Sequence, residues 1–256
     1  MSRAQMSLLT VALCGVAVIA GQGLLSWSAT AGTNGVAIPN LNGIDALQFK
    51  GHGDVEIVSD GAASLTITDG NSSNIKVTRD GATLVITVSG WFAGDPHFVL
   101  HTTPLRNLEL SGSVDLTADQ LTGKEVGVRT SGSTEVNIDK LSADVVTIHT
   151  SGASELTANG VATAKLAIEG NGSSEINLKG NATEQDARFS GSSEYDAMGL
   201  ISDRVSLHVS GATEAKVHAV KQLNLEASGG SEITYAGEPS IVQHISGSVE
   251  LEHVAG

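Results

Sequence analysis

Large rings, thiols and positive charge are all scarce in this 256-residue sequence. Aromatic residues make up 3% of it, cysteine occurs once, and 14 Lys plus Arg face 28 Asp plus Glu, for a formal charge of −14. The shortage of aromatics argues against an ordinary globular enzyme core and suits a narrow interior filled by small aliphatic side chains. The sole cysteine, Cys14, lies in an N-terminal apolar run, so the exported part of the chain has no thiol for a disulfide or for thiol chemistry. Net acidity excludes a nucleic-acid role, because phosphate binding needs the opposite sign. It keeps a β-rich surface soluble and favours cations or basic partners. A 3.6-residue apolar stripe is missing from the C-terminal half, as are a Gly-x-Ser-x-Gly nucleophile motif and a Gly-Gly-x-Gly-x-Asp calcium nonapeptide.

What fills that half is one motif copied eight times: Ser-Gly-Ser-Val-Asp-Leu from Ser111, then related copies from Ser131, Ser151, Asn171, Ser190, Ser210, Ser228 and Ser246. The starts are separated by 20, 20, 20, 19, 20, 18 and 18 residues. Self-similarity at this period is the mark of a solenoid, whose single repeat cannot bury its own apolar face. Five and three residues before the Ser stand apolar pairs such as Val126 and Val128, Val146 and Ile148, or Leu223 and Leu225. After the Gly the alternation resumes, with Val114, Leu116 and Ala118 facing one way and Asp115 and Thr117 the other. Period 2 on both sides of a glycine corner is strand. A third apolar position ten residues after the Ser (Leu121, Leu141, Val161, Leu200, Val220) suits a further short strand or bend. The expected fold is all-β: a single-stranded parallel β-helix with coils of about 20 residues, right-handed as strand crossovers overwhelmingly are.

Residues 1–31 read as a secretory signal, with Arg3, an apolar run from Met6 to Leu25, and Ala29-Thr30-Ala31 as a cleavage site. An uncleaved anchor is the competing reading of the same run. Export places the protein in the periplasm, on the outer surface or outside the cell. Residues 32–43 form a flexible lead-in, and 44–256 the β-helix domain, with Gly51-His52-Gly53-Asp54-Val55 as a degenerate ninth coil. Within 64–88 the Asp69-Gly70-Asn71 and Asp80-Gly81 turns predict an antiparallel hairpin insertion or cap over the N-terminal coil. Residues 89–104 break the pattern. Trp91, Phe92 and Phe98 there are either a plug for the end of the tube or a binding loop. At the other end no cap follows Leu251, so the last coil is a candidate surface for self-association.

Two charged columns follow from the repeat. The fourth residue after each Ser is acidic: Asp115, Glu135, Glu155, Glu175, Glu194, Glu214, Glu232 and Glu250. Stacked at about 4.8 Å, neighbouring charges repel by roughly 0.9 kcal/mol in water, so the column belongs on the surface. It is a solvated face that blocks aggregation or, at Glu135, Glu155, Glu175 and Glu194, a ladder for low-affinity Ca²⁺. Two residues before each Ser stand Glu109, Arg129, His149, Glu169, Arg188, His208, Glu226 and His244, where pairs Glu109–Arg129 and Glu169–Arg188 are expected. His149, His208 and His244 are too far apart along the repeat for one zinc site. Arg188, Asp186 and Asp196, in the irregular coil, come nearest to a catalytic cluster.

The Ser-Gly-Ser-x-acid-apolar copies, the apolar-x-apolar strands before them and the exported N-terminus resemble the head-GIN domain family, whose members are described as heads of autotransporter adhesins. The resemblance covers roughly residues 40–255. It implies a right-handed β-helix in a bacterial exported protein and brings no catalytic residues with it. The function expected is a non-enzymatic binding, adhesion-type or structural module of the cell envelope that presents Ser, Thr, Asn and Glu ladders to glycans or envelope components. A carbohydrate-active enzyme and a self-associating envelope scaffold are the competing classes.

Overall fold

The computed structural model describes residues 30–31, 36–90 and 95–255. The expected signal up to residue 29, residues 32–35 of the lead-in, and both Trp91 and Phe92 lie outside the described residues. A short antiparallel pair, β1 (Thr30–Ala31) with β2 (Ala37–Ile38), comes first. The remaining strands are β3 (Ala46–Val58), β4 (Ser64–Thr68), β5 (Ile75–Asp80), β6 (Thr83–Val88), β7 (His97–His101), β8 (Asn107–Gly191), β9 (Glu194–Gly211), β10 (Glu214–Gly229), β11 (Glu232–Ala236), β12 (Ser240–Gly247) and β13 (Glu250–Val254). They make one open 11-stranded sheet. No α-helix occurs among the described residues.

Most of this sheet is parallel and follows the repeat. β3 pairs with the start of β8, with Gly51 opposite Gly112 and Asp54 opposite Asp115. The last part of β8 pairs with β9, β9 with β10, and β10 with β11 and β12, so that Gly191, Gly211, Gly229 and Gly247 stand in line. β8 itself has 85 residues, which would span roughly 280 Å if straight. It turns back on itself at its glycines instead. A Cβ on Gly132, at φ +103°, would sit 2.4 Å from the Gly112 carbonyl oxygen, and one on Gly152 would sit 2.6 Å from that of Gly132. Only glycine supplies this φ at no steric cost and lets one turn lie so close on the last.

The sheet is mixed, because the N-terminal region pairs differently. β5 and β6 form an antiparallel hairpin through Gly81, and β6 lies parallel to β3. β4 does not pair with β5 across Asp69-Gly70-Asn71 as that turn suggests. It runs antiparallel to β7, with Leu65 opposite Leu100 and Ile67 opposite Phe98. The turn signal was local, whereas the partner was set by which apolar strand could cover Ile67 and Leu65, both buried. Arg79 holds the preceding loop in place by donating to the Asn40, Asn42 and Gly81 carbonyls.

Inward-facing columns make one continuous core. Ile176, Tyr195, Ala215 and Ile233 succeed one another in register, each essentially inaccessible to solvent. Each buried Val, Leu or Ile contributes roughly 1.5–3 kcal/mol relative to exposure. Next to the corner most interior residues are Ser or Thr, and some of these side chains bond across turns. Thr134 Oγ1 donates to Ser154 Oγ (3.1 Å) and Thr150 Oγ1 to Ser174 Oγ (2.9 Å), whereas the Thr130, Ser193 and Thr213 hydroxyls are buried without a partner among the described residues. Val220 departs from its expected column. Leu121, Leu141, Val161 and Leu200 are buried, but Val220 is exposed and Ala219 takes the interior place. The repeat shortens to 18 residues there, and the register with β9 slips between Ala219 and Gln222.

Candidate functional site

Two faces of the repeat carry charge, one on each side of the glycine corner. On the first, register places Asp54 beside Asp115 and aligns Glu175, Glu194, Glu214, Glu232 and Glu250. The acidic column therefore begins one turn earlier than the Ser-Gly copies. Its carboxylates feel one another. Partial burial first, then the charges of Glu135 and Asp54, push the Asp115 carboxyl up; partial burial, then Glu175 and Glu135, do the same to Glu155. Side chains beside the column relieve it in places, as Asn137 donates to Glu135 and Asn177 to Glu175, both at 3.1 Å. Lys216 pairs with Glu214 at 2.6 Å.

Glu135, Glu155, Glu175 and Glu194 thus share one face, but among the described residues no three acidic or histidine side chains gather into a metal site. Parallel side chains at strand spacing project side by side, whereas Ca²⁺ takes six to eight oxygens around one point. The same holds for the spread-out His149, His208 and His244.

On the second face, the mixed column lies in a groove of about 530 Å³ lined by Glu169, Arg188, His208, Glu226 and His244, together with the hydroxyls of Ser190, Ser210 and Ser228. A second depression continues the column upstream past Glu109, Arg129 and His149. The expected pairs Glu109–Arg129 and Glu169–Arg188 do not close. Glu169 is taken by His149 of the preceding turn (3.0 Å), and Arg188 reaches back along its own strand to Asp186 (2.9 Å). His208 bonds Glu226 of the following turn at 3.0 Å and Ser206 at 3.2 Å. The pairing is thus His to the next turn's Glu, and Arg188 fits the nearer carboxylate.

Phe98 is core, not surface. It is fully buried and meets Phe49 edge to face at 5.2 Å between ring centres. Asp196 does not join Arg188 and Asp186 either. It stands beyond the glycine corner, aligned with Asn177 and Lys216. Sequence reasoning missed a buried polar chain: Ser202 Oγ donates to Gln185 Oε1 (3.0 Å), and Gln185 Nε2 to the Tyr195 hydroxyl (2.7 Å). Burial holds the Tyr195 phenol far above its ordinary value, so it stays neutral. The available signal was Gln185 itself, a polar residue five places before Ser190 where most other copies have Val, Leu or Ile. Its bonds end within the core, which makes it structural.

Solved structures share this fold. A putative adhesin from Parabacteroides distasonis ATCC 8503 superposes with a TM-score of 0.76 at 22% identity, covering 84% of this chain and 94% of its own. A putative adhesin from Parabacteroides merdae ATCC 43184 gives 0.71 at 22%, covering 84% and 93%. A putative lipid binding protein, also from Parabacteroides distasonis ATCC 8503, gives 0.69 at 21%, covering 83% and 93%. At such identities the likeness establishes the fold alone. No curated protein matches the sequence significantly. The sequence match extends over residues 43–239, from the degenerate first turn through β11, and by it the chain belongs to the family described as "Putative auto-transporter adhesin, head GIN domain".

Proposed function

We propose that the chain is an exported, non-enzymatic adhesion module of the cell envelope, and that its parallel ladders are the coils of a single-stranded, right-handed β-helix. The mixed-charge groove is its recognition face, and the ligand class is glycan. The observation that carries this is the regular succession of Glu169, Arg188, His208, Glu226 and His244 beside a row of serine hydroxyls. Such a surface offers a donor or acceptor at every turn to a chain of hydroxyls and carboxylates. Affinity accumulates from many weak, repeated contacts. The acidic column on the other side of the corner keeps the face solvated and turns anionic ligands toward the groove. The adhesin descriptions of the family and of structural neighbours support this class of function. The test is a glycan array probed with the parent and with the Arg188→Ala/His208→Ala double variant. The reading expects acidic or polyhydroxylated glycans to be retained by the parent and lost by the variant. Equal retention by both contradicts it.

A further inference from the structure

The two ends of the sheet are finished differently. β12 pairs with β10 on one side and, among the described residues, with no strand on the other. Its Ile241 and Ile245 stand in register over Leu223 and Ala227, so they continue core columns. Yet they are 37% and 39% exposed, and Val242 on the outer face is 51% exposed. β12 lacks the devices that usually guard such an edge: it has no Lys, no Pro and no bulge. The opposite end has them. β5, the last strand of the path there, is short and carries Lys76 and Arg79, and the core strands behind it are covered by β4 through β7. A head-to-tail stack would therefore meet a closed end.

β12 is instead complementary to itself. From Ser240 to Ser246 it reads Ser-Ile-Val-Gln-His-Ile-Ser, symmetric about Gln243 except for Val242 and His244. We propose that β12 is the contact strand of a two-fold homodimer, pairing antiparallel with β12 of a second copy about Gln243. In that register Ile241 lies opposite the second copy's Ile245, Ser240 opposite Ser246 and Val242 opposite His244. Both exposed core columns are then covered at once, and the assembly closes at two copies because the interface is isologous. Backbone bonds from the unpaired edge supply the strand-addition part of the affinity.

Light scattering on the full chain, of 26.1 kDa, tests this as a function of concentration. The expected parent mass is twice the chain mass. Ile241→Lys/Ile245→Lys places like charges opposite each other and should weaken dimerisation at least tenfold, with circular dichroism unchanged. Ile241→Lys/Ile245→Glu carries as many charges but sets Lys against Glu in the antiparallel register, and should restore the dimer. A parent that stays monomeric, a parent that grows beyond two copies, or a Lys/Glu variant no more dimeric than the Lys/Lys one each overturns the proposal.

Discussion

The N-terminal and C-terminal ends are built from the same kind of apolar strand but finished in opposite ways. At the first, Leu84 and Ile86 of β6 are wholly buried behind β5. At the second, Ile241 and Ile245 occupy core columns that no further strand covers among the described residues. The stacked repeat propagates burial from turn to turn but cannot complete it, so completion must come from an added element. Antiparallel strands do this at one end, and by our proposal a second copy does it at the other.

Truncations at matched positions give the largest contrast. Ile86→Ala should cost about 2–5 kcal/mol by lost burial and cavity formation, while Ile245→Ala should cost under about 1 kcal/mol in the dissociated chain. Denaturant titration at low protein concentration measures both, and equal costs would erase the distinction between the ends. Between the ends, Gln185→Ala should destabilise by about 1–3 kcal/mol. It leaves the buried Ser202 and Tyr195 hydroxyls without Gln185, and a thermal melt would show the loss.

The smallest effect concerns the acidic column that runs from one end to the other. Glu155→Gln removes the cost of partly burying a charge and the repulsion from Glu175 and Glu135. Because the side chain is solvent-screened, it should stabilise by well under about 1 kcal/mol, less at high salt. Because the folded-state Asp115 and Glu155 carboxyls are raised, the folded protein holds more protons than the unfolded chain around pH 4–5. Their penalty is present above the raised values and fades as pH falls through them. The advantage of Glu155→Gln should therefore vanish near pH 4. A gain that grew on acidification would contradict the column's mutual repulsion.

Much of this was legible from spacing alone. The corner glycines, the inward aliphatic columns and the acidic ladder recur every 18–20 residues, and a two-residue alternation tells inside from outside. What escaped depended on partners rather than period. The Asp69-Gly70 turn does not say that β4 will choose β7, and an aromatic at position 98 does not announce that Phe49 awaits it. Val220 was misplaced because a shortened repeat slips the register within one turn. In the groove, the column was readable but its ion pairs were not, since Arg188 pairs with Asp186, two residues before it, and not with Glu169 of the preceding turn.

The central claim is that successive copies lie directly over one another. Spin labels on single cysteines replacing members of the acidic column measure this most directly, in a Cys14→Ser chain diluted with unlabelled protein. Along the aligned column, pairs 115–194, 115–232 and 54–250 are separated by four, six and eight steps. The account predicts distances of about 19, 29 and 38 Å, rising by about 4.8 Å per step. Distances that fail to rise in proportion to the number of copies between the labels would contradict it.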